Sequence, residues 1–263
     1  MKFKTTIDSP SNNTVKDLIN IRDGKEQDDL WFVEGHKVVE TAIGSGRKVE
    51  EIFITEGMLN KNEKLLRSLA HPEKQMTIIS ERVSKKLSDT MTPQGIFATV
   101  HYSFMKMNDL RPRGIIPVID RVQDPGNLGT IIRTADAFGI KNMILLEGTC
   151  SPSNQKVIRS SAASILNINI AKTSDRELVN WAEKNKVNLL VTDSGAKTPI
   201  KDIAPGKRSA ILLGNESSGV SEFLKSKAVS RFSIPVSGKA ESLNVAVASA
   251  IILYEFSRKI KNP

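Results

Sequence analysis

Cysteine is almost missing from this chain of 263 residues: Cys150 stands alone. An intrachain disulfide is therefore impossible, and a cysteine-based zinc site is excluded. Histidine is nearly as scarce. His36, His71 and His101 are scattered through the first part of the chain, away from the polar loops described below. That argues against a Ser/His/Asp hydrolase and against a histidine metal site, so no metal is expected. No apolar run approaches the roughly 20 residues a membrane span needs. The N-terminal stretch MKFKTTIDSPSNN carries no apolar segment of the secretory type. Together these absences lead us to expect a cytoplasmic protein with no membrane partner. The glycine patterns of a Walker A loop and of G-x-G-x-x-G are absent too, so nucleotide-triphosphate and Rossmann dinucleotide readings lose support.

What is present is ordinary for a soluble globular chain, with 39% hydrophobic and 25% charged residues, except in the sign of its charge. Lys and Arg number 38 against 29 Asp and Glu, a formal charge of +9. That balance favours a polyanionic partner such as nucleic acid.

The first half alternates in period. Residues 12–24 read as a helix, 31–35 as a strand and 36–43 as a helix. Residues 50–56 read as a strand, 62–70 as a helix with Leu65, Leu66 and Leu69, and 76–80 as a strand. Residues 81–88 read as a helix and 95–102 as a strand. Strands alternating with helices give an α/β layered unit. A polar, basic, proline-containing stretch at 103–114 reads as a linker. It divides the chain into 1–105, a linker at 106–114, and 115–263. The second unit repeats the alternation. Strands are expected at 116–123, 142–147, 187–193, 208–214 and 231–236, with extended chain at 165–171. Helices are expected at 128–138, 156–164 and 175–185. Such apolar strands predict a mostly parallel sheet covered on both faces. The last helix, opening at Ser242, Leu243 and Asn244, is apolar nearly all round and should be buried.

Three polar-glycine loops follow strands of the second unit: DPGNLG at 124–129, GNESSG at 214–219 and SGKAESLN at 237–244. In open α/β sheets ligands bind beyond the carboxyl ends of strands, so three such loops can meet in one site. Glycine lets the backbone approach a ligand closely. The candidate side chains are Asn127, Arg133, Glu216, Ser242 and Asn244. Each also has a plainer role. Asn127 or Ser242 could simply cap its helix, Arg133 could be a solvated charge, and Glu216 a loop carboxylate facing water.

The segments NLGTIIRTADAFG, LLGNESSGVS and IPVSGKAESLNVAVASAI resemble, in order and spacing, the three motifs of the SpoU (TrmH-like) branch of the SPOUT RNA methyltransferases. The likeness covers residues 115–258. FVEGHKVVETA and TMTPQGIFA in the first unit resemble the ribosomal-protein-L30e-like substrate-binding domain often fused in front of it. The resemblance implies an L30e-like α/β/α domain followed by a SPOUT α/β domain with a trefoil knot, a rare topology. It implies S-adenosylmethionine as cofactor, held near Thr192, Gly195, Leu213, Gly214, Ile234, Leu243 and Asn244. It also implies a homodimer through the second unit, and methylation of a ribose 2′-hydroxyl in RNA. In the family Arg133 would be the general base. Physics favours a clamp on phosphate that also stabilises the developing alkoxide, because a guanidinium stays charged in proteins. Asn127, Ser242 and Asn244 would orient it and the ribose. Glu216 would hold loop geometry or a partner's arginine. Ribosomal RNA is favoured as substrate. Transfer RNA, and a non-catalytic RNA-binding protein of the same fold, are the alternatives.

Overall fold

The computed structural model describes residues 3–25, 29–61 and 75–261. The helix expected at 62–70 and His71 lie outside the described residues. The chain divides into two compact units, one of residues 1–103 with 153–167, the other of 104–152 with 168–263.

The first unit contains β1 (Phe3–Ile7), α1 (Asn13–Arg22), β2 (Leu30–Glu34), α2 (His36–Gly44), β3 (Val49–Thr55) and α3 (Glu56–Lys61). It continues with β4 (Gln75–Ile79), α4 (Glu81–Leu87) and β5 (Ile96–His101). The sheet order is β1-β4-β3-β5-β2. β1, β4 and β3 run parallel, while β5 is antiparallel to both β3 and β2. β1 was not expected. FKTTI carries two large apolar residues in five, too weak a pattern by itself. Its pairing with β4, Phe3 opposite Met76 and Ile7 opposite Ile79, supplies what propensity lacks. Trp31 and Tyr102 stack at 4.0 Å in the core.

The rest of the chain gives β6 (Gly114–Ile119), α5 (Pro125–Ala137), β7 (Asn142–Leu146), α6 (Gln155–Ser160), β8 (Asn169–Thr173) and α7 (Asp175–Asn185). Then come β9 (Asn188–Thr192), β10 (Arg208–Leu213), α8 (Glu222–Lys227), β11 (Ser230–Phe232) and α9 (Val245–Lys261). α6 belongs to the first compact unit. There Gln155 Nε2 donates to the Phe32 carbonyl at 2.8 Å, and Arg47 Nε to the Leu166 carbonyl at 2.8 Å. The second sheet runs β11-β9-β10-β6-β7-β8, every pair parallel. Its central strands are buried on both faces, as their unbroken apolar sequences require. The chain builds outward from β6 through β7 to β8, then returns to the other side for β9, β10 and β11. The direction of winding reverses between β6 and β10, the point where such sheets open a crevice.

Several local expectations change. The stretch read as extended, 165–171, forms a 3-10 turn at Ser164–Asn167, and only Asn169–Thr173 is strand. β11 spans three residues rather than six. α5 begins at Pro125, three residues earlier than expected, because Asp124 caps it and proline suits the first helical position. α9 begins at Val245, after Ser242 and Asn244 rather than with them. Nor is α9 buried all round. Ile252, Leu253 and Phe256 are inside, yet Val247, Ile251 and Tyr254 are 50%, 39% and 56% exposed. The stretch at 103–114 carries contacts of its own. Met105 N donates to the Ile170 carbonyl at 2.8 Å, and Leu110 is buried in the second unit's core.

Lys259 ties α9 to the segment after β9. Its ammonium donates to the carbonyls of Ile200, Lys201 and Ile203 at 3.2, 2.7 and 2.9 Å. Three charge-assisted bonds on one group with 23% side-chain exposure are worth more than a surface ion pair. Lys259→Met keeps the stem and removes the donors. It should destabilise the protein by about 1–3 kcal/mol, read as a lowered melting temperature in calorimetry. An unchanged midpoint would mean water replaces the ammonium without loss.

Candidate active site

Asp124 opens the site. Its side chain accepts from Asn127 N at 2.8 Å and caps α5. Asn127, set in the first turn rather than at the cap, therefore keeps its amide free to face the neighbouring loops. Asn127 Nδ2 donates to Glu216 Oε1 at 2.9 Å, and Asn127 Oδ1 accepts from Asn244 Nδ2 at 3.0 Å. Asn244 is the cap of α9: its Oδ1 accepts from Ala246 N at 2.9 Å and Val247 N at 3.3 Å. One hydrogen-bonded chain thus joins the loops after β6, β10 and β11. Burial pushes the Glu216 carboxyl up. Hydrogen bonds from Asn127 and from the backbone of Glu216, Gln123 and Asp124 outweigh it and hold the group below its usual value. Glu216 is ionised near neutrality and acts as an acceptor.

The structure brings Asn127, Glu216 and Asn244 together and leaves two predicted residues outside that chain. Arg133 is exposed on α5, six residues beyond Asn127, and Ser242 is exposed ahead of α9. Neither has a hydrogen bond or ion pair among the described residues, so both side chains are free for a ligand.

The sequence reading missed a second layer. Asp120, 1% exposed, directly follows β6 and accepts from Ser221 N at 2.9 Å through Oδ2. The guanidinium of Arg121 bridges Asp120 and Asp175, the latter at 2.8 Å. Burial raises the Asp120 carboxyl pKa, against the pull of Ser221 N–H and Arg121. Arg121 has a left-handed backbone, φ 59°. Its carbonyl accepts from Asn215 Nδ2 at 2.7 Å. Asn215 Oδ1 in turn accepts from the amides of Ser217 and Ser218 at 3.0 and 3.1 Å. The carboxylate pair therefore anchors the loop that presents Glu216. One signal was available: an aspartate closing the apolar run IIPVI, four residues ahead of a polar-glycine loop. Gly214 completes the loop, since a methyl group there would lie 2.2 Å from the Gly219 carbonyl carbon.

The candidate cofactor positions cluster at the carboxyl ends of adjacent strands. Thr192 is opposite Phe232 in the register of β9 and β11, and Val191 is opposite Leu212 in that of β9 and β10. Thr192 Oγ1 donates to the Leu212 carbonyl at 2.9 Å. Gly195 N donates to Asp193 Oδ1 at 3.0 Å, and Arg231 Nε to Asp193 Oδ2 at 3.0 Å, which shapes the loop after β9. Leu213 ends β10 and Gly214 follows it, Ile234 lies after β11, and Ile234 and Leu243 are half-buried. Apolar walls alternating with glycine and small polar groups suit a small ligand of mixed apolar and hydrogen-bonding character. Among the described residues no cluster of three or more His, Cys, Asp or Glu is placed to hold a metal.

Residues 114–254 match the SpoU rRNA Methylase family, and residues 12–98 match the MRM3-like substrate binding domain. The chain is 34% identical over 250 residues to the Bacillus subtilis 23S rRNA (guanosine(2553)-2′-O)-methyltransferase RlmP, covering 94% of this chain and 97% of that protein. It resembles the crystal structure of AdoMet-bound rRNA methyltransferase from Sinorhizobium meliloti, with 28% identity, a TM-score of 0.87, and 96% and 97% of the two chains covered. Its fold is also that of the SpoU methyltransferase AviRb from Streptomyces viridochromogenes in complex with AdoMet. There the TM-score is 0.86, the identity 23%, and the coverage 95% of this chain and 99% of that one.

Cys150 reports on this site. Burial, with Asp124 and Glu216 nearby, pushes its thiol up to about 11. A raised thiol pKa means the thiolate appears only at high pH. Alkylation by iodoacetamide should therefore have its midpoint well above the roughly 8.5 of a free cysteine. Glu216→Gln removes one of the two carboxylates and should lower that midpoint. A wild-type midpoint near 8.5 would refute the burial of the Cys150 thiol, and an unshifted midpoint in Glu216→Gln would refute the influence of that carboxylate.

Proposed function

We propose, from the premise that this chain belongs to the SpoU rRNA Methylase family, that it methylates a ribose 2′-hydroxyl in RNA with S-adenosylmethionine as donor. Ribosomal RNA is the substrate we favour, and the cytoplasm the compartment. The reading rests most on the Glu216–Asn127–Asn244 chain at the switch point of a parallel sheet, with the free Arg133 on the same helix. The names of the similar proteins support ribosomal RNA. No helix among the described residues is long and apolar enough to cross a membrane.

When bound, S-adenosylmethionine supplies an electrophilic methyl group on a sulfonium. Leu213, Ile234 and Leu243 would wall its site, with the backbone of Gly195 and Gly214 alongside. Arg133 holds a phosphate next to the target ribose through its planar fork, and stabilises the alkoxide as it develops. Holding ribose and methyl in line can lower the barrier by roughly 7–11 kcal/mol in the best cases. Asn127 and Asn244 act through the loops they join, because their amides are already engaged. Ser242 retains a free hydroxyl for the ribose. Residues 1–105 select the RNA.

The reading includes a trefoil knot and a homodimer. β11 lies at the far edge of the sheet, yet α9 starts beside Asn127, after the central β6. Residues 233–244 must therefore cross the carboxyl ends of β9 and β10. The segment after β9 contacts the start of this passage at Ser233, and the far end of α9 at Lys259. Val247, Ile251 and Tyr254 recur at four and three residues along α9, an apolar stripe that a second copy would cover.

Light scattering should give twice the monomer mass, and Val247→Glu/Ile251→Glu should halve it. A wild-type monomer that still binds the cofactor would count against the dimer. For Arg133→Ala, stability should change by roughly 0.5 kcal/mol or less, as at surface sites. Single-turnover methyl transfer at saturating RNA should fall by about two or more orders of magnitude, with cofactor affinity unchanged by calorimetry. Partial activity in Arg133→Lys would indicate charge, and near-total loss the planar fork. Near-normal transfer in Arg133→Ala would make Arg133 a solvated surface charge.

A further inference from the structure

The opposite edge of the second sheet carries a row of cations. Lys186 precedes β9, Lys207 and Arg208 stand at the start of β10, Arg111 and Arg113 precede β6, and Lys141 precedes β7. These four strands are neighbours in the order β9-β10-β6-β7. Arg208 is opposite Gly114, and Gly114 N donates to the Lys207 carbonyl at 2.8 Å, so the cations of adjacent strands stand side by side. All six side chains are exposed. Lys141 meets Asp136 at 3.5 Å, and Arg208 donates to the Asn185 carbonyl at 3.1 Å. Arg111, Arg113, Lys186 and Lys207 have no carboxylate partner among the described residues. Aligned, uncompensated cations repel one another and gather counterions, which a polyanion releases on binding. Arg111, Arg113 and Lys141 line, together with Ile115, Phe138 and Ile140, a cavity of about 410 Å³, so cations and apolar side chains share one site.

We infer that this amino-terminal edge is a second RNA-contact surface, gripping phosphates of the substrate away from the ribose that is methylated. Strands adjoin at about 4.8 Å, so the row spans several phosphates. β6 is six residues long, which places the row roughly 20 Å from the loops at its other end. It therefore adds affinity without touching the reacting groups. A phosphate backbone fits better than an acidic protein surface, because the cations recur on four adjacent strands and the cavity is large enough for an unstacked base. The inference rests on the methyltransferase reading above and extends its substrate contacts to this edge.

The test compares the full chain with Arg111→Gln/Arg113→Gln/Lys207→Gln, using a ribosomal RNA transcript that the wild type methylates. KM for RNA should rise about tenfold or more. The slope of log affinity against log salt should become shallower by about 2–3 for three lost phosphate contacts. Single-turnover transfer at saturating RNA should stay within about twofold of wild type, and cofactor affinity should hold. The charge-conserving Arg111→Lys/Arg113→Lys/Lys207→Arg should recover most of the RNA affinity. Unchanged KM and slope in the glutamine variant would overturn the surface. Equal losses in both variants would overturn it too, since charge would not be the cause. A wild-type chain that methylates no RNA would instead refute the underlying reading.

Discussion

The amide of Asn127 is the pivot of the second unit. A carboxylate can only accept, and the Nδ2 of Asn244 can only donate. Asn127 offers one of each, donating to Glu216 and accepting from Asn244. An aspartate there would face Glu216 with like charge, and an apolar residue would leave both neighbours unsatisfied. Three loops distant in sequence therefore depend on one side chain with two complementary atoms. Asp124 makes this possible by taking the capping role that Asn127 would otherwise fill.

Beneath that chain lies a layer that holds its geometry. Arg121 adopts a left-handed backbone, uncommon for a residue with a Cβ. Two carboxylates, Asp120 and Asp175, hold its guanidinium. The carbonyl it presents receives Asn215, and the Asn215 side chain gathers the amides of the loop that carries Glu216. The buried charge of Asp120 is tolerated because each of its oxygens has a partner, Oδ1 in Arg121 and Oδ2 in Ser221 N. The result is a Glu216 whose position follows from the end of β6 as much as from its own loop.

A parallel sheet has two unlike edges. Its carboxyl edge collects the long polar loops, because every connection leaves from there. Its amino edge receives the returning chain in short turns. In this protein the first edge carries the amide chain and the glycine loops, and the second carries the row of cations. Chemistry and grip on a polyanion are thus assigned to opposite ends of the same strands. The apolar stripe of Val247, Ile251 and Tyr254 on α9 stays exposed.

Much of this was legible in the residues. Alternating apolar runs and helical periods specified both α/β units, since burial on two faces demands unbroken apolar strands. Glycine and asparagine after strands marked the loops, and the family motifs named Asn127, Arg133, Glu216, Ser242 and Asn244. Tertiary structure decided what pattern could not encode. β1 exists because β4 pairs with it. α5 starts at Pro125 because a cap competes with a loop, and a hydropathy pattern does not register that contest. α9 reads as uniformly apolar, yet only packing determined which of its faces meets the core and which meets solvent. The union of Asn127, Glu216 and Asn244, and the Asp120–Arg121–Asp175 layer beneath it, join positions up to 117 residues apart. Hydrogen bonds over that separation depend on how strands are ordered in a sheet, and strand order is a property of the folded whole rather than of any local stretch of sequence.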